Sequence, residues 1–391
     1  MSEILAAERI LDFCWVGAGA LVTQTLALHG ADVIKIESSA RPDNLRVSPP
    51  FRPGQRDLNG SGYFASRNSG KRSFALNMKH PRAREVATEL ARVSTIVTSN
   101  YRPGVLERWG LGYADLCPDN PGLIHLSMPM QGSDGPHRDF AGFGSTIQAL
   151  AGLVAPSGLP GRTPLGTNTH YPDHLPNPGH ALVALLGAIY RRDLTGQGAE
   201  LELAQFESTV NMMGPDVVAA SVTGKSPAPH GNALAGYEPR GVYPASGDDR
   251  WVAISAAAKD CTRVVDVLRE RAVEPPSEDL EGWLAAATSR WEAEELVERL
   301  QAVGIAAAEV LTTAELLEDA HLAKRGFWRR LVHPTMGEIV VPGLPFQLNG
   351  APIADERPAP MLGQHTWEVA ESVLGLTRSE YERGVEEGLF Q

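Results

Sequence analysis

Short apolar runs alternate with amphipathic stretches along the first part of the chain. The runs ERILDF (8–13) and DVIKIE (32–37) predict buried strands. ALVTQTLALHG (20–30) lies between them and predicts a helix that ends at a glycine, the residue preferred there. Because two parallel strands need a crossover of this kind, the pattern predicts a βαβ unit.

The same alternation continues to about residue 130. PRAREVATELARV (81–93) predicts a helix with a proline in its first turn, and TIVTSN (95–100) and GLIHLSM (122–128) predict two further strands. Strands that alternate with helices in this way are typical of a doubly wound parallel sheet. We therefore expect an α/β fold.

The pattern changes after a long predicted helix at 179–193. Residues 223–248 are rich in Gly, Pro and Ala, which indicates a linker into a second domain. RWVAISA (250–256) predicts a strand in that domain, and amphipathic helices follow at 281–303. VHPTMGEIVVP (332–342) has the pattern of a hairpin.

The composition narrows the classes of protein. The chain has 391 residues, which favours two domains, and its net charge of −12 without a Lys/Arg run argues against nucleic acid as a partner. We expect no secretory signal and no membrane span, since no stretch has the required apolar length. Three widely spaced cysteines, Cys14, Cys117 and Cys261, suit free thiols in the cytoplasm.

The first predicted β–α turn offers part of a dinucleotide-binding fingerprint. It contains Gly17 and Gly19, and Glu37 ends the next strand at the position of a ribose-binding acid. Val22 stands where the third glycine is expected. We favour an ordinary glycine-containing turn, and an NAD-dependent dehydrogenase is the outside alternative.

The stretch THYPDHLPNPGH (169–180) gathers candidate chemistry. It holds Asp173 among His170, His174 and His180, and its prolines restrict the backbone. The residues alone leave three interpretations open: a metal site, a His–Asp acid/base pair, or a single nucleophile on a stiff loop. Neither a CxxC nor an HExxH spacing occurs in the chain.

Several segments, in order and over nearly the whole chain, resemble the class III CoA-transferases, a family that includes formyl-CoA, carnitine and benzylsuccinate CoA-transferases. The matching segments are ADVIKIE (31–37), SGKRSFALNMKHP (69–81), SNYRPGVLERWGLGYADLCPDNPGLIHLSM (99–128), GSDGP (132–136), ALLGAIYRRDLTGQGAELELAQFES (184–208) and LGQHT (362–366). No single segment is specific, but the ordered set is.

The resemblance implies a Rossmann-like doubly wound large domain, a smaller α+β domain and an interlinked homodimer. The expected division is 1–210 for the first part of the large domain, 211–248 for the linker, 249–325 for the small domain and 326–391 for the return to the large domain. The implied substrates are an acyl-CoA and a carboxylic acid. The family uses no metal and no tightly bound cofactor.

The resemblance also implies that Asp173 is the nucleophile. In the family this carboxylate attacks the thioester, and a mixed anhydride and then an aspartyl-CoA thioester form. A free aspartate has a pKa of about 3.9, so we expect this side chain to be ionised at pH 7 without a partner base. His170 or His174 then lines the acyl pocket, or the histidines have surface or packing roles.

Matching positions supply the expected CoA contacts. Ser38 replaces a basic residue of the family, and the nearby Arg41 takes its place in our prediction. Lys71 and Arg72 are expected to add positive potential. The CoA-binding residues that the resemblance implies are Val16, Gly17, Ala18, Arg41, Leu76, Lys79, Asn100, Tyr101 and Arg108.

Two alternatives share the fold. An α-methylacyl-CoA racemase needs a second base, a histidine at the position that Phe143 occupies here, and phenylalanine cannot transfer a proton. A non-catalytic subunit of a heteromeric transferase is disfavoured because Asp173 is present. Gly231, Gly236 and Gly241 are scattered where formyl-CoA transferase has consecutive glycines, which argues against specificity for formate and oxalate. The stretch YPDHLPNPGH (171–180) instead resembles family members that act on larger acids, so we expect a larger acid than oxalate.

Overall fold

The computed structural model describes residues 4–54, 56–167, 169–272, 279–352 and 357–391. These residues form two compact units. The larger unit contains the described parts of 1–156, 165–227 and 323–391, and the smaller contains those of 157–164 and 228–322. Both ends of the chain therefore contribute to the larger unit.

The described strands are β1 Arg9–Asp12, β2 Asp32–Glu37, β3 Arg72–Ala75, β4 Ile96–Ser99, β5 Ile124–Ser127, β6 Ala199–Glu202, β7 Tyr237–Pro244, β8 Trp251–Ala257, β9 Ala306–Glu309, β10 Trp328–His333, β11 Gly337–Pro342, β12 Gln347–Leu348 and β13 Ala351–Pro352. The described α-helices are α1 Ala18–Leu28, α2 Gly62–Asn68, α3 Ala83–Arg92, α4 Val105–Arg108, α5 Tyr113–Leu116, α6 Gly144–Leu150, α7 Tyr171–His174, α8 Pro176–Thr195, α9 Gln205–Met212, α10 Gly214–Thr223, α11 Cys261–Arg269, α12 Leu280–Thr288, α13 Ala293–Ala302, α14 Thr313–Glu318, α15 Ala320–Lys324, α16 Thr366–Ser372 and α17 Arg378–Glu386.

A six-stranded sheet in the order β3-β2-β1-β4-β5-β6 forms the centre of the larger unit. All of its pairs are parallel; Ile10 in β1, for example, is the register partner of Val33 in β2 and of Ile96 in β4. The prediction of an α/β fold with a parallel sheet is confirmed. The strand order reverses beside β1, where such sheets leave a crevice at their carboxyl edge.

Helices cover both faces of this sheet. On one face α1 and α8 bring Val22, Leu26 and Leu185 against apolar side chains of the strands. On the other face α3 brings Leu90 into a cluster with Phe74 of β3. Burial on both faces explains why β1, β2, β4 and β5 are buried almost continuously rather than at alternate positions.

The C-terminal segment closes the β3 edge of the sheet. The Ala75 N–H donates to Thr366 Oγ1 at 2.9 Å, and the Gly363 N–H donates to Ser73 Oγ at 2.8 Å. Phe390 then packs against Phe74 with 5.7 Å between ring centroids. The edge strand therefore does not present free backbone groups along this stretch.

The smaller unit contains an antiparallel sheet in the order β7-β8-β9. Alternate residues of β8, such as Val252 and Ile254, are buried against helices α11, α12 and α13 in a cluster that includes Trp283 and Leu296. The period-2 pattern at 250–256 thus reflects a sheet that is covered on one face.

The region expected to be a linker, 211–248, differs from the prediction. It contains helix α10 and strand β7. The prediction took Pro239 and Pro244 as signs of a linker. They lie in β7, which is an edge strand, and an edge strand tolerates residues that cannot donate a backbone hydrogen bond to the sheet. Helix α8 likewise begins at Pro176 rather than at 179, since proline suits the first helical turn.

Candidate active site

Buried polar groups fix the turn between β1 and α1. Asp43 accepts hydrogen bonds through Oδ1 from the backbone N–H of Val16 at 3.1 Å and of Leu45 at 3.0 Å. The Lys35 ammonium lies 3.0 Å from Asp43 Oδ2 and donates to the Cys14 carbonyl at 2.5 Å. Because Lys35 and Asp43 are fully buried, each charge offsets the desolvation of the other.

This turn has an uncommon backbone conformation. Val16 has φ of 60°, in the left-handed region, which a β-branched residue rarely adopts and which costs on the order of 1–3 kcal/mol. The side-chain amide of Asn100 holds the preceding residue: it accepts from the Trp15 N–H at 2.8 Å and donates to the Trp15 carbonyl at 2.6 Å. These contacts present Gly17, at the start of α1, toward α7.

Asp173 lies in the short helix α7 and is only 5% exposed. Two glycines pack against its side chain. A Cβ on Gly17 would lie 2.7 Å from Asp173 Cβ, and a Cβ on Gly144 would lie 2.9 Å from Asp173 Oδ2. The backbone of Gly144 also donates a hydrogen bond to the carboxylate. Both positions therefore require a residue without a side chain.

Burial raises the pKa of Asp173 to about 6. The nearby His170 and the Gly144 hydrogen bond oppose this shift, because both favour the charged form. At pH 7 about nine-tenths of the side chains are still ionised, and at pH 6 about half are. The side chain therefore stays mostly ionised at pH 7, although burial moves its pKa away from the ordinary aspartate value expected from the sequence.

Two cavities adjoin at the carboxyl edge of the sheet. The first, of about 350 Å³, is lined by Asp173 and by residues of the β1–α1 turn. The second, of about 580 Å³, is lined by residues that follow β2 and β3. Both cavities share the lining residues Trp15, Arg41, Tyr101 and Arg102.

The structure places most of the predicted CoA-contacting residues in these cavities. Val16, Gly17, Ala18 and Asn100 line the cavity that contains Asp173. Leu76 and Lys79 line the second cavity. Arg41 and Tyr101 line both.

Arg108 is the exception, because it lines neither of these cavities. It is exposed at the end of α4. Arg102, six residues earlier, lines both cavities and was not predicted. Its position directly after the Asn-Tyr pair and beyond the end of β4 was a usable signal, since the carboxyl ends of parallel strands share one edge of the sheet.

Arg41, the residue predicted to replace the missing basic side chain, packs against an aromatic ring. Its guanidinium carbon lies 5.2 Å from the centroid of the Trp15 ring. This contact is a cation–π interaction, and it orders Arg41 where the two cavities adjoin.

Several charged side chains that the sequence offered for binding are engaged within the fold. Arg46 donates to both oxygens of Glu37, at 2.8 and 2.7 Å, and both side chains are fully buried. Lys71 is buried and lies 3.1 Å from Asp12 Oδ2, while Arg72 pairs with Asp32. Glu37 is thus paired with Arg46 and is not free to bind the ribose of a dinucleotide. Lys71 is buried and adds no positive charge to the surface.

The three histidines of 169–180 have separate surroundings. His180 Nδ1 lies 2.8 Å from the Pro176 carbonyl oxygen and 2.9 Å from Ser208 Oγ, which indicates a packing role. His174 Nε2 lies 3.5 Å from the Tyr63 hydroxyl, and burial lowers the pKa of His174 to about 4. His170 precedes α7 and lies near the Asp173 carboxylate.

Within the described ranges, no cluster of three or more His, Cys, Asp or Glu residues has the placement needed to bind a metal ion. The same ranges hold no helix with the length and apolarity to cross a membrane. Phe143 lines the Asp173 cavity and is about half exposed.

Comparison with known proteins defines the class. The chain is 30% identical over 385 residues to a succinyl-CoA–D-citramalate CoA-transferase of Chloroflexus aurantiacus, covering 95% of this chain and 94% of that protein. It is 30% identical over 426 residues to a formyl-CoA:oxalate CoA-transferase of Streptomyces avermitilis, covering 97% and 98%. A CAIB/BAIF family protein of Brucella suis has a similar structure, with a TM-score of 0.83, 25% identity and coverage of 94% and 98%. The chain is therefore a CoA-transferase.

The family follows from a match to one family model over nearly the whole chain. Residues 5–366 match the model of CoA-transferase family III. The chain belongs to CoA-transferase family III, as the resemblance of its ordered segments predicted.

Proposed function

We propose that this enzyme moves CoA from an acyl-CoA thioester to a free carboxylic acid, with Asp173 as the nucleophile. The observation that carries the proposal is the Asp173 carboxylate itself. It is buried, it lines a cavity, and it is approached closely by the backbones of Gly17 and Gly144. A carboxylate in this setting is ionised at pH 7 but poorly solvated.

The proposed reaction proceeds through two kinds of covalent intermediate. An Asp173 carboxylate oxygen attacks the thioester carbonyl, the C–S bond breaks, and CoA leaves as a thiolate from a mixed anhydride. The thiolate attacks the Asp173 carbonyl of the anhydride and expels the donor acid as a carboxylate. The acceptor carboxylate then attacks the aspartyl-CoA thioester, which gives a second mixed anhydride and CoA thiolate. The thiolate attacks the acceptor carbonyl of that anhydride and expels the Asp173 carboxylate, so that the acceptor thioester and free Asp173 result.

The backbone N–H donors around Asp173 suit these reaction steps. Each attack on a carbonyl forms a tetrahedral oxyanion, and removal of one donor to such an oxyanion typically costs on the order of 10²–10³ in rate. The Gly144 N–H already donates to the carboxylate. The N-terminus of α1 begins beside Gly17, and its free N–H groups and dipole favour negative charge.

We propose that the second cavity receives the nucleotide part of CoA. Arg41, Arg102 and Lys79 give it a positive lining in a chain of net charge −12. The guanidinium group suits phosphate because it binds two oxygens at once. CoA then acts as a substrate, and the proposed mechanism requires no tightly bound cofactor.

We propose that two copies form the interlinked dimer of the family. Helix α10 has no buried residue, yet it carries Val217, Val218 and Val222. Helix α8 exposes Val183 and Tyr190. Apolar surface of this extent is typical of an interface. Light scattering that gives the mass of a single chain at micromolar concentration would contradict the dimer.

We also propose a cytoplasmic setting for the reaction. The three cysteines are free thiols, and Cys14 is buried. Unpaired cysteines persist where the cell keeps thiols reduced.

The test uses the purified protein with succinyl-CoA or acetyl-CoA as donor and a panel of carboxylic acids as acceptors. Asp173→Ala and Asp173→Asn should abolish exchange, while the exposed Asp134→Asn should retain it. Hydroxylamine added during turnover should leave a hydroxamate at residue 173 that mass spectrometry detects. Full transfer by Asp173→Ala would refute the mechanism.

Deuterium exchange and turnover by the pure protein separate the two alternatives. A racemase would exchange the α-hydrogen of its acyl-CoA with deuterium from the solvent in the absence of any acceptor acid. A non-catalytic subunit would show no turnover as the pure protein with any acid in the panel. In either case Asp173 would carry no hydroxamate.

A further inference from the structure

A cluster of polar side chains lies close to Asp173 and outside the lining of both cavities. Tyr63 and Arg67 are four residues apart on α2 and therefore share one face of that helix. The Tyr63 hydroxyl lies 3.5 Å from His174 Nε2, with 6.4 Å between the two ring centroids. His174 directly follows Asp173, so this cluster adjoins the nucleophile.

Arg67 has no counter-ion among the residues that the structure describes. Its Nε is buried without a hydrogen-bond partner, and its NH1 makes a 3.5 Å contact with the carbonyl oxygen of its neighbour Ser66. Burial lowers the pKa of Arg67, but a guanidinium does not lose its proton in proteins. A half-buried, permanent positive charge of this kind is costly unless an anion reaches it.

The neighbours of Arg67 can donate but cannot neutralise it. His174 is neutral at pH 7, since burial and the Arg67 charge lower its pKa to about 4, and its Nδ1 is buried without a partner. The Tyr63 hydroxyl is close enough to Arg67 and Asp173 for both charges to act on its pKa, in opposite directions. The cluster thus offers a guanidinium fork and a hydroxyl to an acceptor group that the described chain does not supply.

The position of the cluster limits what that acceptor is. In acyl-CoA the pantetheine arm separates the thioester carbon from the phosphates. With the thioester at Asp173, the phosphates cannot also reach Arg67. Of the groups in an acyl-CoA, only a carboxylate on the acyl group can then supply an anion beside the nucleophile, and a carboxylate matches the planar fork of arginine.

We propose that Arg67, with Tyr63, binds the second carboxylate of a dicarboxylic substrate, so that the enzyme prefers monothioesters of short dicarboxylic acids over their monocarboxylic analogues. This inference rests on the proposed function of Asp173. In this arrangement Arg67 contacts the far carboxylate of the acyl group and not the reacting carbonyl. It therefore affects which substrate binds rather than the chemical step.

The experiment measures isotope exchange between an acyl-CoA and its own labelled free acid, which requires no knowledge of the natural acceptor. Succinyl-CoA is paired with butyryl-CoA, and glutaryl-CoA with valeryl-CoA, because each pair differs by a carboxylate against a methyl group. The readout is the ratio of kcat/KM within each pair. The variants are Arg67→Met, Arg67→Lys and, as a matched control, Arg84→Met on the exposed face of α3.

Wild-type enzyme should favour the dicarboxylic member of at least one pair. Arg67→Met should lower that ratio by about 10- to 100-fold, as expected for the loss of a charge-assisted pair. Arg67→Lys should lower it less, because it keeps the charge but loses the fork. Arg84→Met should leave the ratio unchanged.

An unchanged ratio in Arg67→Met would overturn the inference, as would a wild-type preference for the methyl analogue in both pairs. If Arg67→Met does not fold, the Arg67→Lys ratio decides, and equality with wild type overturns the inference. A change in oligomer mass without a change in ratio would assign Arg67 to a subunit contact instead. A failure of the proposed nucleophilic role of Asp173 would give a different result, because Asp173→Ala would then retain exchange with all four donors.

Discussion

Replacement of Asp173 by asparagine should remove activity and stabilise the protein. The carboxylate is only 5% exposed, and burial raises its pKa from 3.8 to about 6. The shift of about 2 units corresponds to about 3 kcal/mol, since each unit is worth 1.36 kcal/mol. Asparagine has nearly the same shape and keeps an oxygen that can accept from Gly144, but it carries no charge to desolvate.

The direction of the pH dependence follows from the proton balance. The pKa is raised in the folded state, so between about pH 4 and pH 6 the folded protein binds more protons at this site than the unfolded chain. Stability of the wild type therefore falls as the pH rises through this range, and it levels off above pH 6. The advantage of Asp173→Asn should be near zero at pH 4 and reach about 3 kcal/mol at pH 7.

Thermal unfolding at several pH values measures this difference. For a unit of this size, about 3 kcal/mol corresponds to a rise in Tm on the order of 5 °C at pH 7. Asp134→Asn is the matched control, because Asp134 is exposed and the change should stay within about 0.5 kcal/mol. A Tm for Asp173→Asn at or below wild type at pH 7, or a gain that is the same at pH 4 and pH 7, would refute the reasoning.

Three further outcomes are expected. The kcat/KM of the wild type should fall below pH 7 with a midpoint near pH 6, because protonated Asp173 is no nucleophile; a midpoint near pH 4 would contradict the raised pKa. Gly144→Ala should reduce transfer at least 100-fold, since its Cβ would lie 2.9 Å from Asp173 Oδ2, whereas Gly122→Ala, whose Cβ would meet no atom closer than 3.7 Å, should retain full activity. Arg46→Leu should cost about 3–5 kcal/mol in urea unfolding by leaving Glu37 buried and unpaired, and a loss below 1 kcal/mol would show that Glu37 gains water.

The sequence predicts the parallel sheet well, because its signal is local. Val33, Ile34 and Ile36 are all buried in β2, and a strand covered on both faces shows as an apolar run. The β7 strand was missed because an edge position admits prolines and exposed side chains, so its composition matches that of a linker.

The charges of the site were harder to predict. Lys71 and Glu37 both lie in segments that match the family or a binding fingerprint, yet both are buried in ion pairs, Lys71 with Asp12 and Glu37 with Arg46. Sequence patterns indicate that a residue is charged but not which partner the fold brings to it. The same limit applies to Asp173, whose position the resemblance implies but whose raised pKa depends on burial by Gly17 and Gly144.

The closure of the β3 edge by the C-terminal segment sets an order on biosynthesis. Residues 323–391 emerge from the ribosome only after the whole smaller unit has been made. Until then Phe74 and Leu90 lack the Phe390 side of their cluster, and the backbone of β3 is open to other strands. A nascent chain halted before Ala323 should therefore be a preferred client of chaperones, while one released after Phe390 should not.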